Sequence, residues 1–306
     1  MPNKVLITGA TGYIADMILP TFRERYETVL VDIKERNRRD EVVEDVQIAD
    51  LLDPDRTAYS HLFEGVDAVV HLGHRGRRGD NPLDHYFDEK KNVDMAYNVY
   101  RTAYDAGVNR VVMASSNHAS DWYEHNLIHE RRMEVLDPYT LPLSDNFYGW
   151  AKAAYEHMGF LFAGGNMGFR DASGKEVHTG GAGVGTRKMG AVLVRIGAPR
   201  ELKADAYEGD PGNFKRDLGA YASPRDLAQL FSKGVDAPSI DNEYGVPWLV
   251  VYGISNNTRA FWSLASARKV LGYEPEDDSE VKFADEIRGF LVGEGASGGV
   301  GRLGAL

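Results

Sequence analysis

Tyr148 and Lys152 stand four residues apart in Tyr148-Gly149-Trp150-Ala151-Lys152. On a helix, positions i and i+4 share a face. An ammonium there stabilises the phenolate and draws the phenol down from its usual pKa of about 10 toward the working range of a base. Many helices carry this spacing merely to bury a ring and leave a lysine in water. Two other stretches give the pair weight: a glycine-rich turn beginning at Thr8, and Ser115-Ser116-Asn117-His118. A hydroxyl such as Ser116 can bond a reacting oxygen and aim it at Tyr148.

These groups need a scaffold that brings them to one edge. Lys4 to Thr8 reads as a short buried strand. Thr8-Gly9-Ala10-Thr11-Gly12-Tyr13-Ile14-Ala15 follows, then Ile14, Met17, Ile18 and Phe22 at helical spacing. This is the strand, turn and helix context of a dinucleotide fingerprint. Gly9 permits the tight turn, and Gly12 lets a pyrophosphate approach the helix N-terminus, where amides and dipole favour an anion. Ala15 stands where a third glycine is usual. Thr11, Tyr13 and Ile14 share the turn and are cofactor candidates with Gly9 and Gly12. Thr28 to Asp32 reads as the second strand. Its terminal Asp32 accepts hydrogen bonds from ribose hydroxyls and repels a 2′-phosphate, which predicts NAD rather than NADP. Lys34, Arg36, Arg38 and Arg39 read as a solvated loop.

Val46 to Ala49 is a third strand. Asp50 can hold an adenine amino group while Leu51 packs on the ring; as a helix cap Asp50 is nearly as well explained, although Asp53-Pro54 is the better cap. Ala68 to Leu72 is the fourth strand, and Leu72 and Gly73 at its end leave room for a nucleotide. The basic loop His74 to Gly79 lies on the same side. Its Arg75 could receive a carboxylate or phosphate, with a solvated loop as the equal alternative.

His85 to Ala106 is a long helix whose Val93, Ala96, Tyr97, Tyr100 and Tyr104 suit burial against a partner subunit as well as the sheet, so a homo-oligomer is expected. Arg110 to Ser115 is the fifth strand, and Asn146 opens the helix of Tyr148. The stretch 164–190 holds nine glycines and reads as a lid or oligomer contact, with a small hairpin around Val177. Strands six and seven are Ala191 to Ile196 and Trp248 to Tyr252. Between them Glu201 to Asn213 reads as an acidic loop, and Pro224 to Gly234 as a helix capped by Ser223. Arg259 to Leu271 and Val281 to Leu291 are the last helices. The alternation predicts an α/β fold, a Rossmann-like doubly wound parallel sheet with a small C-terminal substrate lobe. The expected organisation is a dinucleotide-binding domain over 1–163, the glycine-rich insertion over 164–190, remaining strands and lobe over 191–292, and a flexible tail over 293–306.

Composition narrows the partners. The 306 residues carry a net charge of −11, which argues against nucleic acid. No apolar run reaches the length of a membrane span, and the N-terminus runs straight into a strand, so neither membrane nor secretion is expected. The absence of cysteine excludes disulfides and thiolate metal sites and fits a cytoplasmic protein. No metal site is expected.

The whole chain resembles the extended short-chain dehydrogenases/reductases, and more narrowly the uronate dehydrogenases. The narrower resemblance rests on Ala114 to His118, Leu193-Val194-Arg195-Ile196-Gly197, Ser223-Pro224-Arg225-Asp226-Leu227, Val251 to Arg259 and Leu271-Gly272-Tyr273-Glu274-Pro275. It implies NAD-dependent oxidation of the anomeric carbon of a cyclic hexuronate to an aldonolactone. It implies Tyr148 as base, Lys152 as its electrostatic partner and a ribose ligand, and Ser116 as the orienting hydroxyl. Asn117 and His118 become substrate contacts, and Arg216, placed by its spacing before Ser223-Pro224, the clamp on a sugar carboxylate. Two serines of the family pattern are missing: Ala198 follows the Arg195-Ile196-Gly197 run, and Gly76 or a neighbour replaces the other. That leaves a neutral aldose or a sugar phosphate such as glucose 6-phosphate as the alternative substrate. A nucleotide-sugar epimerase and a non-catalytic NAD sensor rank behind.

Overall fold

A computed structural model describes residues 4–165, 169–170, 173, 176–177, 187–207 and 209–292. The strands are β1 (Lys4–Thr8), β2 (Glu27–Asp32), β3 (Val46–Ile48), β4 (Ala68–His71), β5 (Arg110–Ser116), the two-residue β6 (Phe169–Arg170) and β7 (Glu176–Val177), β8 (Gly190–Ile196) and β9 (Trp248–Gly253). Helices α1 (Tyr13–Arg25), α2 (His85–Asp105), the single turn α3 (Asp121–Tyr123), α4 (Phe147–Gly164), α5 (Pro211–Ala220) and α6 (Pro224–Asp236) lie between them.

Seven strands form one parallel sheet in the order β3-β2-β1-β4-β5-β8-β9. This is the doubly wound Rossmann-like arrangement expected from the alternation. A parallel sheet covered on both faces calls for continuous apolar strands. Accordingly β4 and β8 are buried at every residue. Successive side chains of β1 feed opposite layers. Val5 and Ile7 join Phe22 of α1 and Leu230 and Phe231 of α6. Leu6 joins Val99 and Tyr100 of α2 and Tyr155 and Phe162 of α4. A third, smaller core of Leu202, Phe214, Leu218, Tyr221 and Phe283 carries the lobe around α5.

The register lines up the carboxyl ends. Thr8 lies opposite Val31 and His71, and Ser116 opposite Ile196, which in turn lies opposite Gly253. The order reverses between β1 and β4, so the crevice for a ligand opens there.

Three expectations need correction. The acidic loop through Asn213 already contains the start of α5, where Asp210 caps Gly212 N and Asn213 N at 2.9 Å each. Residues 259–264 are not helical; they run extended beside Leu136, whose amide donates to Phe261 O at 2.8 Å while Ser263 N donates to Leu136 O at 3.0 Å. The helix expected from Val281 is broken at Phe283, whose φ of −109° turns its ring against Tyr221 at 5.0 Å. Val177 does pair in a small antiparallel ribbon with Phe169. Most of the glycine-rich insertion, and all of the tail 293–306, lie outside the described residues. Among the described residues no helix is long and apolar enough to cross a membrane.

Candidate active site

The nucleotide end is built on Gly9, at φ +67°, where a Cβ would come within 2.7 Å of Gly73 N and 2.8 Å of Leu72 C. Only glycine tolerates both the conformation and the contact. A Cβ on Gly12 would stand 3.0 Å from Gly9 O, and Gly12 caps α1 without a side chain, so the first amides of the helix stay open to an anion. Asp32 is tied to the turn: its Oδ2 accepts from Thr11 N at 2.9 Å and its Oδ1 from Ile33 N at 2.7 Å. Ala15 is fully buried, as close packing of α1 on the sheet requires. Ile14 is half-buried, and Tyr13 stands at the mouth with the Arg38 guanidinium 5.1 Å from its ring centre. Leu72 N donates to Thr8 O, and Gly73 lies against His71 and Met95. This cradle fits a dinucleotide pyrophosphate and an adenosine ribose.

Asp50 and Leu51 fit less well. The Asp50 carboxylate accepts from Leu52 N at 2.9 Å, and Leu51 is buried in the core beneath α2. The cap of the following turn is Asp55, which accepts from Thr57 N, rather than Asp53.

Asp32→Ser is expected to weaken NAD about 10- to 100-fold, because a charged acceptor at a ribose contributes about 1.5–3 kcal/mol. NADP should lose far less. Fluorescence titration with both dinucleotides checks this.

At the other end α4 approaches the turn after β5 so closely that a Cβ on Gly149 would lie 1.9 Å from His118 O. The Asn146 side chain caps the helix by accepting from Gly149 N at 2.9 Å. That contact brings Tyr148 beside Ser116, whose hydroxyl is near enough to lower the phenol's pKa. Its ring is flanked edge-on by His74 at 5.3 Å and His118 at 5.5 Å. Lys152 is buried; its Nζ donates to Ala114 O at 3.0 Å, 4.6 Å from the Tyr155 ring centre and 5.4 Å from that of Tyr148.

The electrostatics correct the simple expectation for this pair. Burial pushes the Tyr148 phenol above its ordinary value, against the lowering by the Ser116 hydrogen bond and Arg77. Burial likewise brings Lys152 down to about 8, with Glu89 and Glu156 opposing the fall. Desolvation outweighs the Ser116 hydroxyl and Arg77 at the phenol, a balance that helix spacing alone does not show.

Beneath Lys152, Glu156 forms a buried two-pronged pair with Arg195 at 2.8 and 2.7 Å. Ser115 Oγ donates to the same carboxylate at 2.7 Å, and Arg195 Nη1 donates to Tyr252 Oη at 3.1 Å. The signal for this network was an arginine inside the apolar run of β8 and a glutamate one turn past Lys152.

Arg216 also departs from expectation. It borders a cavity of about 590 Å³ together with His118, Arg200, Tyr207 and Asn213. Its fork is already closed: Nε and Nη2 donate to Glu124 at 2.8 and 3.0 Å, and Nη1 to Asp217 at 3.1 Å. Asn117, with its amide nitrogen donating to Ile196 O at 2.9 Å, accepts from Arg216 Nη2 at 2.5 Å. Arg216 is thus no open clamp, because a carboxylate of its own chain occupies it. Arg75 is fixed by its backbone: its N donates to Asn92 Oδ1 at 2.8 Å and its O accepts from Asn92 Nδ2 at 3.0 Å.

A sequence model of the NAD dependent epimerase/dehydratase family matches residues 5–237. The chain belongs to that family. An NAD-dependent glucose-6-phosphate dehydrogenase of Haloferax volcanii is 31% identical, over 91% of this chain and 95% of its own. A uronate dehydrogenase of Pseudomonas syringae pv. tomato is 30% identical, over 91% of this chain and 84% of its own. The crystal structure of a glucuronic acid dehydrogenase from Chromohalobacter salexigens superposes with a TM-score of 0.70 at 25% identity, covering 98% of this chain and 91% of that one. The family's cofactor is NAD, and these three family relatives are sugar dehydrogenases by name. The turn at Gly9, the open start of α1 and Asp32 are where such a cofactor fits.

Proposed function

We propose that this chain oxidises the anomeric carbon of a cyclic aldose to the lactone. The cofactor, when bound, supplies the hydride acceptor. Ser116 bonds the C1 oxygen and orients it, Tyr148 takes its proton, and Lys152 supplies positive charge beside both. The observation that supports this most is Ser116, Tyr148 and Lys152 meeting at the carboxyl end of β5, on the edge that also carries Gly9.

The sugar pocket favours a neutral aldose. Five carboxylates, Asp121, Glu124, Asp145, Asp210 and Asp217, lie in or beside the wall that presents only Arg200 and Arg216 as arginines. Arg200 bonds Asp217 as well. A hexuronate would bring a further carboxylate to an arginine that Glu124 already holds. Sugar hydroxyls, in contrast, can donate to these acids. A sugar phosphate is the second reading, supported by the basic loop that carries Arg75, Arg77 and Arg78, of which Arg77 is near enough to Tyr148 to lower its phenol. A panel of pentoses, hexoses, hexuronates and hexose phosphates, followed by reduced-cofactor absorbance, tests the choice. Neutral aldoses should exceed hexuronates in kcat/KM by about 10-fold or more, the penalty of one unpaired charge near a closed ion pair. Turnover of hexuronates alone would overturn the neutral reading. Dinucleotide retained through purification, with no net reduction, would point to an epimerase instead.

A homo-oligomer remains part of the proposal. Its support is the exposed Tyr86, Phe87 and Tyr97 on α2 and Trp150 on α4. Light scattering after size exclusion decides it.

A further inference from the structure

The proton that leaves the substrate must still reach water, and two groups beside Tyr148 bear on its route, of which Lys152 is the first. Its side chain is enclosed, and its ammonium is turned to Ala114 O at 3.0 Å. On the other flank of Tyr148 lies His118, which borders the cavity and keeps 43% of its side chain exposed. His118 Nδ1 bonds Asp121 Oδ2 at 2.5 Å, and Asp121 is 1% exposed. The same oxygen accepts from Asn146 Nδ2 at 3.1 Å, and Asn146 is the residue that caps α4. One carboxylate therefore fixes the imidazole against the helix that carries the phenol. With Nδ1–H committed to Asp121, Nε2 is left as a lone-pair acceptor. Asp121 Oδ1 is buried with no partner among the described residues. This is the base-and-orienter geometry that generalises from hydrolytic triads. His74 touches the same ring at 5.3 Å, but it is His118 that holds the carboxylate.

Resting on the proposed C1 oxidation, we propose that His118, oriented by Asp121, is the proton exit of the site, and that Asp121 is its positioning residue. The balance is simple. The C1 hydrogen leaves with its electron pair to the nicotinamide, and the C1 hydroxyl proton passes to the Tyr148 oxygen. Tyr148 regains its phenolate by giving that proton to His118 Nε2. The imidazolium, neutralised by Asp121, then releases the proton to water in the cavity.

The test compares His118→Ala, Asp121→Asn and His74→Ala, each with kcat, KM and NAD affinity. His118→Ala should lower kcat about 100-fold, the lower end of what a lost proton-transfer group costs, with KM changed less than about threefold. Added imidazole should restore turnover in proportion to its concentration. Asp121→Asn, which keeps the shape but favours the wrong tautomer, should lower kcat about 10-fold or more. A rise in KM alone without imidazole rescue would make His118 a mere substrate contact and overturn the proposal. So would rescue seen for His74→Ala and not for His118→Ala. A second readout needs no turnover: nitrogen NMR of the His118 ring should show the Nδ1–H tautomer, lost in Asp121→Asn. An Nε2–H tautomer in the unmodified protein also overturns the proposal. If no aldose reduces NAD with the unmodified enzyme, the proposed oxidation fails, and the ring tautomer still decides for or against the pairing of His118 with Asp121.

Discussion

Tyr148→Phe is expected to remove about 10³-fold or more of kcat while leaving the fold and NAD affinity in place. The substitution deletes one oxygen from a ring that stays flanked by His74 and His118. A lost general base costs about 10²- to 10⁴-fold, and here the same oxygen is the one whose pKa the Ser116 hydroxyl lowers. Stopped-flow reduction of NAD with the best aldose measures it; a loss below about tenfold would remove Tyr148 from the base role. The pH dependence follows from the same surroundings. The phenol works as its anion, and burial holds its pKa above the ordinary 10. Raising the pH therefore increases the active fraction. Lys152, at about 8, loses its charge over the upper part of that range. Oxidation should climb with pH to about 8 and then level or decline. Lys152→Met should remove the inflection near 8 along with most of the activity. An inflection that persists in Lys152→Met belongs to another group.

The largest stability effect is expected at Glu156. Glu156→Ala leaves the Arg195 guanidinium buried without its partner, at 1% side-chain exposure. Breaking such a pair by removing one member costs about 3–5 kcal/mol. Urea unfolding of the variant should show that loss. The double replacement Glu156→Leu with Arg195→Met should recover most of it, since an apolar pair of similar volume carries no unpaired charge. Recovery of stability need not bring recovery of turnover, because Ser115 and Tyr252 both bond this network just below Ser116. If Glu156→Ala unfolds at the same urea concentration as the parent, the pair is not what stabilises the sheet there.

The local rules of the chain were readable where the cause was local. The turn at Gly9 needs a positive φ and a close backbone approach, and both follow from glycine in a strand-to-helix turn. The sheet strands show as apolar runs because both faces are covered. The start of α5 was hidden by Gly209, Pro211 and Gly212, residues that read as loop until Asp210 is recognised as a cap. The closure of Arg216 was invisible because Glu124 lies 92 residues earlier, in a polar excursion with no periodicity to place it. The upward shift of Tyr148 was equally out of reach, since spacing gives the neighbour but not the depth of burial.

The lobe around α5 has its own apolar core, separate from the two layers that hold the sheet. Arg216 and Asp217 ride on that lobe, whereas the reacting groups stand on β5 and α4. In the proposed reaction part of the ligand wall therefore rides on a piece with its own core, joined to the catalytic side where Arg216 bonds Glu124. A library randomised over 200–217 could explore new sugars while the chemical step keeps its machinery, and a scaffold of this kind is suited to laboratory diversification one half at a time.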